Sequence, residues 1–139
     1  MVNPDIVSRK LARAEHWLSD AEARLAEPRD LFLSRAETRD LTTFYLFLVM
    51  QETIDLAAHW VADAGWESPE EAGGTFDVLA SRDAIPQELA DQLRAMAGLR
   101  NRIAHGYATV QHDRLYEEAR EGIPAIRKFL VAVAQAAGV

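Results

Sequence analysis

The chain has 139 residues, 49% of them hydrophobic, a size that buries one continuous core without staples and makes a single domain spanning residues 1–139 the default. It contains no cysteine, which excludes a disulfide framework, a thiolate zinc site and a cysteine nucleophile, and its 4 scattered histidines argue against a metal cage. With 15 basic and 22 acidic residues the net charge is −7, which repels a polyanion at long range, so any RNA contact must be local.

The first residues, MVNPDIVSRK, lack the apolar centre of a signal peptide. Asn3 and Pro4 instead suit an N-cap and first helical position, and Ile6, Leu11, Ala14, Leu18, Ala21 and Leu25 follow at helical spacing, predicting a helix from about Pro4 to Glu27. Pro28 breaks that pattern.

A longer periodic run carries Leu41, Phe44, Tyr45, Leu48, Gln51, Asp55, Leu56 and Trp60 and is expected to end near Gly65 as a C-cap. Its longest apolar stretch, Phe44 to Met50, is far too short to cross a bilayer, and the expected location is cytoplasmic.

Glu67 to Gly74 is loop-like, and Thr75 is expected to cap a short helix through Leu79 and Ala80, followed by a turn over Ser81 to Ile85. Pro86 opens the next helix, in which Leu89, Leu93, Met96, Leu99 and Ile103 recur to about Ala104, with Gly106 as the stop. Leu115, Ala119, Ile123, Ile126, Leu130 and Val133 define a last helix, in which Pro124, after Gly122, is expected to introduce a kink. The expected fold is therefore all-α, an antiparallel bundle of four main helices plus a short one.

The segment Arg100-Asn101-Arg102-Ile103-Ala104-His105-Gly106-Tyr107 places two arginines, an amide, a histidine and a phenol at one helix terminus. Cleavage of RNA by its own 2′-hydroxyl needs a group that exchanges a proton near neutral pH, for which His105 is the candidate. It also needs a permanent cation against the charged phosphoryl oxygens, for which Arg100 or Arg102 qualifies. At about 100° per residue Arg102 and His105 share a face, whereas Arg100 and His105 lie about 140° apart on an unbroken helix. A helix that ended at His105 would release that restriction. The competing structural reading has solvated arginines, a histidine on the terminal carbonyls and a packed tyrosine.

The pattern Arg100-x4-His105-x-Tyr107, with Asn101 after the arginine, resembles the signature of HEPN domains, specifically the HepT-like toxins of toxin–antitoxin pairs. Thr53-Ile54-Asp55-Leu56-Ala57 is similar to that family's middle-helix pattern, and the path from Phe76 through Leu93 to Leu99 is similar as well. The resemblance implies a metal-independent, cofactor-free endoribonuclease acting as a homodimer, with the motifs lining a shared cleft and a 2′,3′-cyclic phosphate left on the product. It assigns phosphate stabilisation to Arg100, acid–base work to His105 and an orienting role to Asn101, with Arg102 and Asp55 as possible supporting residues. Tyr107 would be the residue to which a partner nucleotidyltransferase antitoxin adds AMP, crowding the cleft and repelling RNA.

The alternative is a non-catalytic helical partner, or substrate-binding subunit, of a nucleotidyltransferase. A purely structural dimer anchored by Trp17, Trp60 and Trp66 is a third reading. His16, His59 and His112 have little supporting context, and Glu70-Glu71 and Glu117-Glu118 read as solvated surface, since adjacent helical side chains diverge by about 100°.

Overall fold

A computed structural model describes residues 3–139. Six α-helices follow in order: α1 (Pro4–Leu25), α2 (Arg29–Ser34), α3 (Ala36–Ala64), α4 (Gly74–Ser81), α5 (Gln87–Gly106) and α6 (His112–Ala137), with a single 3-10 turn at Tyr107–Thr109 between the last two. No strand occurs among the described residues, so the all-α expectation holds, with α2 as an additional short helix. No described helix is long and apolar enough to cross a membrane.

Helix ends follow local chemistry. The Asn3 side chain accepts from the backbone N–H groups of Asp5 and Ile6 at 3.0 and 3.4 Å, with Pro4 at the first helical position. α1 stops at Leu25, two residues short of expectation, because a residue before proline is held out of the helical region and Glu27 precedes Pro28. Pro28 then opens α2, which buries only Phe32. At the far end of α3, Gly65 takes φ +75°, and its N–H and that of Trp66 return to Ala62 and Val61, a left-handed cap that favours glycine.

Other boundaries differ from expectation as well. Thr75 is buried inside α4 instead of capping it, and Pro86 is the residue before α5, extended at ψ 149°, instead of its first turn. α3 also begins at Ala36, five residues ahead of Leu41, through a polar first turn that carries no apolar period.

α3 is the central element, packed against α1, α2, α4, α5 and α6, which explains why apolar residues surround much of its circumference. Phe129 of α6 lies between two aromatic partners, with ring centroids 5.5 Å from Phe76 and 6.2 Å from Trp60. Trp60 is therefore a core residue, not an interface anchor, while Trp17 and Trp66 pack partly buried against that core. The corner made by Pro28 is tied to α6 by polar groups: the Tyr116 hydroxyl donates to the Glu27 carbonyl at 2.7 Å and the Arg120 guanidinium to the Leu25 carbonyl at 2.6 Å.

α6 runs unbroken from His112 to Ala137 with Pro124 inside it. Two residues before that proline, α5 and α6 touch at Gly122: a Cβ there would fall 2.1 Å from Met96 Sδ and 2.6 Å from its Cγ. Gly122→Ala is expected to destabilise the fold by about 1–3 kcal/mol through overpacking, read as a lower melting temperature. Shortening Met96 to Ala should cost less in the Gly122→Ala chain than in the parent, as expected of directly coupled neighbours. An unchanged melting temperature for the single variant would contradict the close approach.

Candidate functional site

The motif segment closes α5 and leads into the 3-10 turn, so its side chains are placed mainly by helical geometry. Arg100 lies on the core side of α5, within about 60° of Leu93, Met96 and Ile103, all of which are buried. Its Nε is buried and has no hydrogen-bond partner. A guanidinium nitrogen taken from water without replacement is energetically costly, so this position is not one that packing alone selects.

His105 and Asn101 are exposed on other faces. α5 ends at Gly106, the expected stop, where φ −152° and ψ 47° leave helical values; His105 is still a helical residue, so the angle between it and Arg100 is not released. Arg100 and His105 consequently project about 140° apart from one helix. Asn101 lines a cleft with Gly73, Arg94 and Glu71, between α5 and the start of α4.

Arg102 closes on the Glu118 carboxylate of α6, which also receives Arg114 one turn earlier on the same helix. Glu118 is thus a shared counter-ion, not the solvated acid its sequence context suggested. Arg114 and Glu118 are the site residues that sequence reasoning passed over, although their separation of four is the usual spacing of a helical ion pair.

Tyr107 stands half exposed on the 3-10 turn, and its hydroxyl donates to the Asp40 carbonyl of α3 at 3.0 Å. Partial burial, and secondarily the negative charge of Asp40, push the phenol pKa above its ordinary value, so Tyr107 stays protonated at neutral pH. Asp55 is drawn elsewhere: its carboxylate lies 3.5 Å from Lys10 of α1, in a cluster with Glu52 and Arg13. Its ion pair is with α1, not with a motif residue.

His112, the first residue of α6, lies 3.9 Å from the Asp40 carboxylate. Burial, then the neighbouring Arg39 charge, lower its pKa, against opposition from Asp40 and Asp113. A histidine that binds its proton less readily when folded withdraws stability as pH falls through the ordinary value of 6.5 and below. His112→Gln should therefore flatten the decline of melting temperature between about pH 7.5 and about pH 5.5. A decline as steep as the parent's would show that His112 does not contribute.

A protein-family model described as Ribonuclease HepT-like matches residues 14–133. Among curated proteins, the mRNA nuclease HepT of Shewanella oneidensis is 29% identical over 77 residues, 55% of this chain. That match spans 58% of the relative's length, less than two thirds. Among solved structures, the tri-AMPylated Shewanella oneidensis HEPN toxin in complex with MNT antitoxin gives a TM-score of 0.84 at 22% identity, covering 94% of this chain and 98% of that one. A mutant of the toxin–antitoxin pair MntA-HpeT gives 0.84 at 21% identity, with coverages of 94% and 98%. A cytosolic protein of unknown function from Bacillus subtilis, YutE, gives 0.83 at 15% identity, covering 97% and 90%. At these identities the structural likeness is one of fold.

Proposed function

We propose, from the premise that this chain belongs to the HepT-like ribonuclease family, that it is a metal-independent endoribonuclease toxin whose chemistry is supplied by Arg100 and His105. The observation that supports this most directly is Arg100 itself. A cation on the core stripe of α5, with a buried nitrogen lacking a partner, is explained by a requirement that packing does not impose.

In the proposed reaction the ribose 2′-oxygen attacks the adjacent phosphorus as its proton leaves, and the bond from phosphorus to the 5′-oxygen breaks as that oxygen gains a proton. The products are a 2′,3′-cyclic phosphate and a 5′-hydroxyl. His105 transfers a proton in this exchange, exposed where substrate can reach it. Arg100 offsets the charge on the non-bridging oxygens, and Asn101 orients the phosphate. Because Arg100 and His105 diverge on one helix, a homodimer that juxtaposes two α5 termini supplies the convergence a single chain lacks.

Tyr107 serves as the off-switch in this reading, accepting AMP from a partner nucleotidyltransferase antitoxin. With the phenol protonated, transfer requires a base from the partner to take the proton as the new oxygen–phosphorus bond forms and pyrophosphate leaves. The hydroxyl must also leave the Asp40 carbonyl.

Expression of the chain without its partner tests this reading. Growth should stop with the parent and continue with folded Arg100→Ala or His105→Ala. A chain that forms a tight nucleotidyltransferase complex yet never inhibits growth or cuts RNA would instead be a non-catalytic partner subunit.

A further inference from the structure

Between the end of α5 and the start of α6 lies a cleft of ≈ 280 Å³ whose walls include Arg102, Gly106, Thr109, Gln111 and Arg114. Both guanidiniums converge on the single Glu118 carboxylate, so two positive charges share one negative charge and the group is left net positive. The arginine side chains remain open to solvent, 45% and 58% exposed. A carboxylate that serves two guanidiniums leaves donor N–H groups unused, and planar guanidiniums present them in pairs suited to phosphate oxygens.

The surrounding charge reinforces this. Residues 92–114 contain four arginines and one acid, Asp113, whereas residues 63–91 contain eight acids and one base, Arg82. In a chain of net charge −7, the segment carrying the motif is thus itself net positive. Gln111, the residue before α6, leaves the first N–H groups of that helix without a side-chain cap. Arg102 lies only about 60° around α5 from His105, so an anion in the cleft sits on the face next to the proposed acid–base group.

We propose that this cleft binds a backbone phosphate of the RNA next to the one that is cut, with Arg102 and Arg114 as ligands and Glu118 as the counter-ion that phosphate partly displaces. The proposal rests on the ribonuclease reading. Glu118 tunes the site in a testable direction: removing Arg114 leaves Arg102 neutralised, whereas removing the Glu118 charge leaves both arginines free.

The experiment measures binding of a single-stranded RNA of about 12 nucleotides, and separately of ATP, to full-length His105→Ala protein across a salt series. Adding Arg114→Ala should weaken RNA binding about tenfold and reduce the slope of log affinity against log salt by about one. Adding Glu118→Gln should strengthen RNA binding, even if its melting temperature falls. If the triad only fastens α5 to α6, both substitutions lower the melting temperature and leave RNA affinity and slope unchanged, which overturns the cleft while RNA cleavage by the parent stands. If ATP binding responds and RNA binding does not, the site is for a nucleotide and the RNA assignment is overturned. If the parent neither binds nor cuts RNA, the ribonuclease reading fails and the cleft proposal fails with it.

Discussion

Arg100→Met is expected to leave the protein as stable as the parent or more so, while lowering RNA cleavage by at least about 100-fold. The two effects have one origin. Arg100 occupies the stripe of α5 that also carries Leu93, Met96 and Ile103, where an unbranched apolar side chain of similar length packs well. The substitution removes a buried Nε without a partner, and such a group costs about 1–3 kcal/mol. The same change deletes the cation proposed to meet the phosphoryl oxygens, and methionine offers nothing in its place. Thermal unfolding and cleavage rates on the same samples decide the matter. A melting temperature several degrees lower together with retained cleavage would mark Arg100 as a structural residue.

Tyr107→Phe is expected to separate cleavage from its control. The ring remains on the 3-10 turn, and the only hydrogen bond lost runs to the Asp40 carbonyl at a half-exposed site, so folding should change by no more than about 1 kcal/mol. Cleavage should therefore persist. Incubation with the partner nucleotidyltransferase and ATP should silence the parent and add AMP to it, while the variant gains no mass and keeps cutting. Loss of cleavage in untreated Tyr107→Phe would place the hydroxyl in the reaction itself, and silencing of the variant by AMP would place the modification on another residue.

The parts of this molecule legible in its sequence are those fixed by neighbours along the chain. Asn3 with Pro4, and Gly65 with its left-handed φ, announce helix ends because their capping bonds close within a few residues. Periodicity reveals α1, α5 and α6 because each buries a stripe, while α3, apolar around much of its circumference, is legible through its length. α2 escapes it, since six residues with Phe32 alone buried trace no period, and the polar first turn of α3 escapes it for the same reason. Thr75 illustrates a chemical signal overridden by packing: its side chain suits a cap, but the position is inside α4 and buried.

The candidate site divides in the same way. Arg100, Asn101, His105 and Tyr107 are contiguous, so the family resemblance exposes them. The contacts that set their surroundings are long-range: Tyr107 with Asp40 of α3, His112 with the same residue, and Arg102 with Glu118 of α6. No pattern within one helix reports its register against another, which is why Asp55, similar to a family position, turns out to be held by Lys10 of α1.

The measurement that bears most directly on the proposed chemistry is cleavage of a mixed RNA pool by the unmodified, partner-free protein in EDTA, beside Arg100→Ala and His105→Ala variants shown to be folded. The account predicts cleavage by the parent with 2′,3′-cyclic phosphate ends, and losses of about 10²–10⁴-fold for His105→Ala and at least about 10²-fold for Arg100→Ala. No cleavage by the unmodified parent, or cleavage that survives in both variants, would contradict it.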